Sequence, residues 1–443
     1  MMRARTVIMM LFLLPVMNDA EGSGRQLDLR QAWTMASSYD ARYRVAQADY
    51  QMQRKEVPKA LSGYLPNIYV QASRGRRGTI RELTDPNDRK FYSSKSYGVY
   101  LSQSVVDIQT IAAYKGAVAL EGKSAMVLEN EKGNLMARTI EAYCNALFSQ
   151  EAISVSRSLV ALSQEEVARA VKASEQGVGT VIAIDEARAK YEASLAEEQK
   201  GLNSHEHNLR ELEKLTGVYA GKLAPLSPVL DQKPIALKTE DEWIAAALKM
   251  SPEMGAVKKD LDMARWQTAK TRAGGYPTLD LVASWSYSAN DTDYNLNEIY
   301  DTYAVSLQLK VPIYSGGYVM SSVSQSKMGQ LKAQENFSWK ERQIVSDVRK
   351  YYRGLQSLSM LINANKRTVD ARNTLLKSKQ KGLLSGVATR MDVLDARQQL
   401  RTSELELSKS RFQYILNLVM LEKTAGMLGS DDIVCLASGR TSR

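Results

Sequence analysis

The chain of 443 residues has few of the side chains on which most enzymes depend. Its two cysteines, Cys144 and Cys435, lie far apart in the sequence, so no CxxC redox or thiolate metal motif is present. Its two histidines, His205 and His207, are two residues apart and would lie on different faces of a helix. We therefore expect no enzyme activity, no metal site and no cofactor.

Proline and glycine are also scarce, with 10 and 26 residues respectively. Residues 111–172 contain no proline, and a helix of that length would extend about 90 Å at about 1.5 Å per residue. Residues 319–381 are the counterpart of this segment in the second half of the chain. Shorter return helices are predicted to begin near Thr180 and Thr389, with apolar residues at seven-residue spacing that we interpret as packing seams.

Long hydrophobic runs are missing except at the N-terminus. Arg3 and Arg5 precede the apolar run 7–17, and the small residue Ala20 follows it. This order is typical of a secretory signal peptide, and the run is too short for a transmembrane helix of about 20 residues. Residues 1–20 are therefore predicted to be a signal peptide, and the mature protein is predicted to be exported.

The charge balance is basic, at +10. Part of the excess lies between two strand-like stretches, in Arg74, Arg76, Arg77, Arg81, Arg89 and Lys90. Nucleic-acid binding favours basic residues on a helix or between stacking aromatic residues, and this segment has neither arrangement. We predict a solvated basic loop that faces anionic lipid, and no nucleic-acid partner.

The sequence contains one unit twice, because several short motifs recur in the same order. The segment 63–67 recurs as 275–279, and the six-residue spacing from Gly179 to Asp185 recurs from Gly386 to Asp392. The predicted boundaries are a first repeat over 27–217, a linker over 218–250, a second repeat over 251–426 and a tail over 427–443. Three prolines mark the linker, namely Pro225, Pro228 and Pro234.

Each unit is predicted to contain a helix, two strands, one very long helix and a return helix. Apolar and polar residues alternate over 278–288 and 303–311, and more weakly over 68–72 and 97–105. Strands of about ten residues with one apolar face match a transmembrane barrel, although a soluble sheet shows the same alternation. A sheet in lipid must close, and four strands cannot close alone, so several chains are predicted to share one barrel. The predicted fold class is mixed, mainly α with β.

This combination resembles the TolC-type outer-membrane efflux protein family. The most specific motif is the segment 311–317, in which Pro312, Gly316 and Gly317 mark the change from strand to helix. The resemblance implies a homotrimer in the outer membrane of a Gram-negative bacterium, in contact with its lipid. Three chains with four strands each would form a 12-stranded barrel above a hollow periplasmic tunnel of coiled-coil helices. It also implies two partners, a periplasmic adaptor (membrane fusion protein) and an inner-membrane ABC or RND transporter.

The resemblance also implies an entrance constriction at the far ends of the helices. Asp392 and Asp395 lie three residues apart on one helical face, and the matching family positions form two carboxylate rings. Like charges at that distance raise one another's pKa, so part of each ring is expected to be protonated near neutral pH. The alternative interpretation is that these aspartates only favour a helix N-terminus through its dipole.

A latch that closes the entrance is the second site that the resemblance implies. The position that matches Asp185 belongs to this latch in the family. The latch tyrosine and arginine of the best-known family member are replaced here by Leu383 and Ala388. Arg390 lies two residues further along and is the candidate replacement for the arginine.

The predicted function is a passive exit duct of a tripartite export system that carries secreted protein, as in type I secretion. The alternative is a duct for multidrug or small-molecule efflux; the lipid-anchored drug-efflux branch of the family has an N-terminal cysteine that is absent here. A periplasmic coiled-coil adaptor is a less favoured alternative, because an adaptor would have no amphipathic strand pairs and usually one helical hairpin.

Overall fold

The computed structural model describes residues 26–80, 89–226, 239–290, 298–429, 431 and 433. The predicted signal peptide, Pro228, Pro234 and most of the predicted tail lie outside these residues. The elements follow in the order α1 (Leu29–Tyr39), α2 (Ala41–Arg54), α3 (Glu56–Leu61), β1 (Asn67–Ile80), β2 (Arg89–Val106), α4 (Ile108–Glu175), α5 (Val181–Thr216), α6 (Glu240–Met250), α7 (Pro252–Ala273), β3 (Thr278–Asn290), β4 (Glu298–Lys310), α8 (Tyr318–Leu384) and α9 (Arg390–Thr424). The predicted fold class, mainly helical with a small antiparallel sheet, is confirmed.

The element order itself repeats, since α1 and α2 precede the first strand pair as α6 and α7 precede the second. The start of α1 is a capping box between Asp28 and Gln31, and the start of α6 is one between Thr239 and Glu242. Such reciprocal bonds satisfy backbone N–H groups that a helix start leaves without partners. Helix α6 lies inside the segment predicted as the linker.

The two very long helices are confirmed. Helix α4 has 68 residues and α8 has 67, so each extends about 100 Å at about 1.5 Å per residue. Each long helix starts after a strand pair and turns back at its far end into α5 or α9. None of the described helices is long and apolar enough to cross a membrane.

The turns between long and return helices correct one detail of the repeat. Gly177 and Gly386 end the long helices with φ of +76° and +75°, a backbone conformation that glycine adopts without strain. Gly386 therefore corresponds to Gly177. The sequence comparison had matched it with Gly179. With this alignment Asp185 is no longer the counterpart of Asp392, because it lies two residues further into its helix.

The four strands form one antiparallel sheet in the order β1-β2-β3-β4. Pairing of β1 with β2 continues to Ile80 opposite Arg89, because backbone hydrogen bonding does not depend on the charge of the side chains. Arg74, Arg76 and Arg77 therefore lie in β1, and Arg89 and Lys90 lie in β2. The prediction of a basic loop was wrong for these residues, and Arg81 lies outside the described part of the chain.

The buried core lies midway along the long helices, between the sheet and the turns. One cluster surrounds Tyr143 of α4, which is fully buried; its single hydroxyl proton is shared between the carbonyls of Leu27, at 2.8 Å, and Ala224, at 2.6 Å. A second cluster contains Trp243 of α6 and Leu355 of α8, both of them fully buried. The two clusters therefore hold the hairpins together at their middle.

Gly426, which follows α9, offers a test of this packing. Its φ is +70°, and a Cβ there would collide with the carbonyl of Met250 at the end of α6. Gly426→Ala should lower the free energy of unfolding by about 2–5 kcal/mol, since left-handed strain costs about 1–2 and overpacking about 1–3. The measurement is urea unfolding of the purified protein in detergent.

Gly386→Ala is the matched control, because Gly386 has a similar φ but open space around its Cβ position. It should lose only about 1–2 kcal/mol to backbone strain. Equal unfolding midpoints for the two variants would contradict the close approach of Gly426 to α6.

Candidate functional site

The predicted site residues Asp185, Arg390, Asp392 and Asp395 lie at the far ends of the helical hairpins, remote from the sheet. Thr180 and Thr389 start the return helices as N-caps, and their hydroxyls accept hydrogen bonds from the backbone of Ala183 and Asp392. The predicted starts of the return helices are thereby confirmed. We call the ends of the four long and return helices, with their turns, the tip.

Asp392 is held by its own helix and by the helix beside it. One carboxylate oxygen accepts from the backbone N–H and the hydroxyl of Thr389, both at 2.8 Å. The other oxygen lies 2.9 Å from Nζ of Lys379 on α8. The Thr389 backbone bond, followed by the Lys379 ammonium, holds the pKa of Asp392 well below its usual range.

Within a single chain these contacts favour the ionised form of Asp392, whereas the expected partial protonation concerns the ring of three chains and stays a prediction. The intrachain contacts of Asp392 agree with the alternative interpretation, in which the aspartate stabilises the N-terminus of its helix. These contacts do not exclude a place in the entrance constriction, which stays a prediction.

Asp395 lies one turn further along α9 and is exposed. It borders a small cavity of about 120 Å³ between α4, α5 and α9, together with Ser163, Glu166 and Lys190. Asp395 has no hydrogen-bond or ion-pair partner among the described residues, so of the two predicted ring residues it is the one whose carboxylate is not engaged within the chain.

Arg390 joins the two hairpins. Its Nε lies 2.9 Å from Oε1 of Glu165 on α4, whereas Asp185 is exposed and has no ion-pair partner among the described residues. Of the two latch candidates, Arg390 makes a contact between the hairpins, with Glu165, and Asp185 does not; the latch itself stays a prediction. Sequence reasoning missed Glu165, whose only signal is its place in the acidic pair 165–166 near the end of α4.

Each hairpin is also closed by an ion pair of its own. Glu166 and Lys190 are 2.7 Å apart between α4 and α5, as Lys379 and Asp392 are 2.9 Å apart between α8 and α9. The tip therefore has one ion pair within each hairpin and the pair of Arg390 with Glu165 between them. Breaking the pair between the hairpins would leave each hairpin intact.

The predicted strand–helix junction lies at the opposite end of the long helices from the tip, between the sheet and α8. Gly316 and Gly317 have φ of +60° and +81°, and Gly317 is the residue before α8. Pro312 lies between the end of β4 and these glycines. In the first unit Asp107 alone separates β2 from α4, and its carboxylate accepts from the backbone of Gln109 at 2.8 Å. The two junctions therefore differ in length within one repeat pattern.

The described residues offer little for catalysis. Burial raises the pKa of the Cys144 thiol to about 12, so this side chain does not supply a thiolate near neutral pH. Burial also lowers the pKa of His205, whose ring lies 2.9 Å from the hydroxyl of Ser149. No cluster of three metal-binding side chains occurs in the part of the chain that the structure covers.

Two very long helical hairpins joined to a four-stranded sheet are the fold of solved outer-membrane channels. The CmeC outer membrane channel of Campylobacter jejuni has the same fold, with a TM-score of 0.77 at 15% identity over 92% of this chain and 88% of that one. Residues 24–218 and 243–427 match the outer membrane efflux protein family, and the chain belongs to that family.

Two relatives are proteins of protease secretion. The chain is 28% identical to the alkaline protease secretion protein AprF of Pseudomonas aeruginosa, over all of this chain and 92% of AprF. It is 26% identical to the proteases secretion protein PrtF of Dickeya chrysanthemi, over 99% of this chain and 95% of PrtF. The predicted TolC-type family and the location in the outer membrane of a Gram-negative bacterium are confirmed, and members of this family are channels.

Proposed function

We propose that the protein is one subunit of a passive, trimeric duct through the outer membrane, with no chemistry of its own. The observation that carries this proposal is the sheet with two open edges. Strands β1 and β4 each have one edge with no partner strand in the described chain, and an apolar face runs across all four strands. Such edges cannot stay unpaired in lipid, so β4 of one chain pairs with β1 of the next to close a barrel of twelve strands.

The helical hairpins then surround a periplasmic tunnel below the barrel. The tip is its entrance, where Asp392 and Asp395 form the constriction and Arg390 with Glu165 holds the two hairpins together. Exposed apolar side chains in both turns support contact with a periplasmic adaptor, since Val178 is 81% exposed and Val387 is 87% exposed. Through that adaptor the duct connects to an inner-membrane transporter of the ABC type.

Secreted protein is the cargo that we propose, in a type I system. AprF and PrtF, which the chain matches over nearly its whole length, are named for protease secretion. Small-molecule efflux by an RND transporter is the second candidate, because the family itself is described as one of efflux proteins.

Assembly is tested by purification from outer membranes in mild detergent. We expect a trimer that persists in detergent, because the strands of one chain cannot close a barrel. A monodisperse monomer with its full β content would contradict the shared barrel.

Cargo is tested in a strain that lacks its own channel of this family. The chain should restore release of a protease when it is expressed with a type I transporter and adaptor of the AprF or PrtF systems. Dye and antibiotic accumulation is measured in the same cells. Restored drug efflux without protease release would assign the duct to small molecules.

A further inference from the structure

Three cations on the apolar face of the sheet have no role in the function described so far. The register places residues of one face in rows across the strands, and Val70, Val99, Trp285 and Tyr303 form one such row. In the proposed barrel, on which this inference rests, this apolar face is turned toward lipid.

An aromatic band crosses this face. Tyr97 stacks on Tyr287 with ring centroids 4.6 Å apart and meets Trp285 edge-on at 6.0 Å, while Tyr303 beside Trp285 is 76% exposed. Aromatic side chains collect at the level of lipid headgroups, so this band marks a membrane–water interface. It lies beyond the apolar rows on the side away from the helices, three pairs before the last described pair of β3 with β4, and in the proposed barrel it faces the cell exterior.

The cations lie directly beyond this band. Arg74 is paired across the strands with Lys95, two residues past the row of Tyr97, and Arg76 is two residues further on the same face. At about 3.3 Å per residue, the first pair lies about 7 Å beyond the Tyr97 row. All three side chains are exposed, and the guanidinium of Arg76 lies 4.8 Å from the centre of the Phe91 ring. They are therefore at the depth of headgroup phosphates.

No acidic side chain of the described residues neutralises this group. Like charges directly opposite each other destabilise a strand pair, and Arg74 and Lys95 have no ion-pair partner within the described chain. The acid on this face is Asp301, which lies two strands away from Lys95 and accepts a hydrogen bond from Nε1 of Trp285 at 2.6 Å. The last described pair of this hairpin, Ile80 with Arg89, is six pairs and about 20 Å beyond Arg74. The arrangement thus calls for an external anion.

We propose that Arg74, Arg76 and Lys95 form a binding site for the phosphate groups of a phosphorylated glycolipid in the outer leaflet. Arginine presents a planar set of donors that matches phosphate, and lysine adds a mobile point charge. The neighbouring aromatic band contacts the upper acyl chains and the sugar, which a free phosphate ion would not need. The site gives the predicted contact of the basic segment with anionic lipid a defined position, on strands β1 and β2 and not on a loop.

The test uses the intact trimer in nanodiscs, with titration of a bisphosphorylated disaccharide glycolipid followed by native mass spectrometry. The triple variant Arg74→Gln, Arg76→Gln, Lys95→Gln should bind this lipid at least about tenfold more weakly, because three charge-assisted contacts are lost. The same glycolipid without phosphates should bind the parent and the variant equally. Inorganic phosphate at millimolar concentration should not displace the lipid from the parent.

The matched control is Lys327→Gln, Lys332→Gln, Arg342→Gln, which removes three exposed cations from α8 and should bind like the parent. If the triple variant does not assemble, the single variant Lys95→Gln is measured in its place, with a smaller expected loss of affinity for the phosphorylated glycolipid. Unchanged binding by the triple or single variant would overturn the proposal. So would a parent protein that binds the phosphate-free glycolipid as tightly as the phosphorylated one. Displacement by inorganic phosphate would assign a site for free phosphate instead. Trimer formation is scored separately on gels, so a failure of the barrel is distinguished from a failure of this site.

Discussion

Replacing Arg390 with alanine is expected to raise the single-channel conductance of the trimer in planar bilayers severalfold. The Nε of Arg390 lies 2.9 Å from Glu165, and this ion pair joins the two hairpins at the tip. Contacts nearer the core remain in the variant, among them the hydrogen bond of Ser408 with Glu151 and the edge-on pair of Phe148 with Phe412. The pair is exposed and contributes about 0–1 kcal/mol, so the variant should still fold and form trimers.

The partner and a neighbour of Arg390 provide the controls. Glu165→Gln should raise the conductance as Arg390→Ala does, and exchange of the two charges in Arg390→Glu with Glu165→Arg should restore the parental value. Arg397→Ala removes another exposed arginine from α9 and should have no effect. Parental conductance in both single variants would show that the entrance is held closed elsewhere.

A second large effect is expected at the proposed constriction. A trivalent cation added from the periplasmic side should block the parent channel, and the double variant Asp392→Asn, Asp395→Asn should abolish the block while leaving the trimers intact. Because Lys379 and Thr389 already contact the carboxylate of Asp392, we expect Asp395→Asn alone to weaken the block more than Asp392→Asn alone.

The pH dependence of the block follows from the direction of the pKa shift. A lowered pKa keeps Asp392 ionised as the pH falls, so its share of the block should be unchanged between about pH 8 and about pH 6. Asp262→Asn, in an exposed ion pair on α7, is the control for removal of an acidic residue remote from the tip. If the double variant is blocked as strongly as the parent, Asp392 and Asp395 do not line the entrance.

The sequence by itself determined the elements and their repetition. Uninterrupted helical stretches, alternating strands and the threonines before the return helices are local patterns of spacing and capping, and each predicts its element without knowledge of the rest of the chain. The signal peptide and the repeat boundaries stay predictions, because the first lies outside the described residues and no observation tests the second.

Only the tertiary structure decided which side chains meet. Glu165 faces Arg390 because α4 and α9 cross at the tip with a particular rotation, and no local pattern specifies that rotation. The corrected alignment of the turns likewise came from the backbone at Gly177 and Gly386. Arg74 and Lys95 form a pair because strand register continues beyond the apolar alternation. Periodicity is a property of one segment of the chain, whereas helix rotation and strand register describe how two segments meet. For this reason the sequence could not predict the partner of Arg390 or the cationic site.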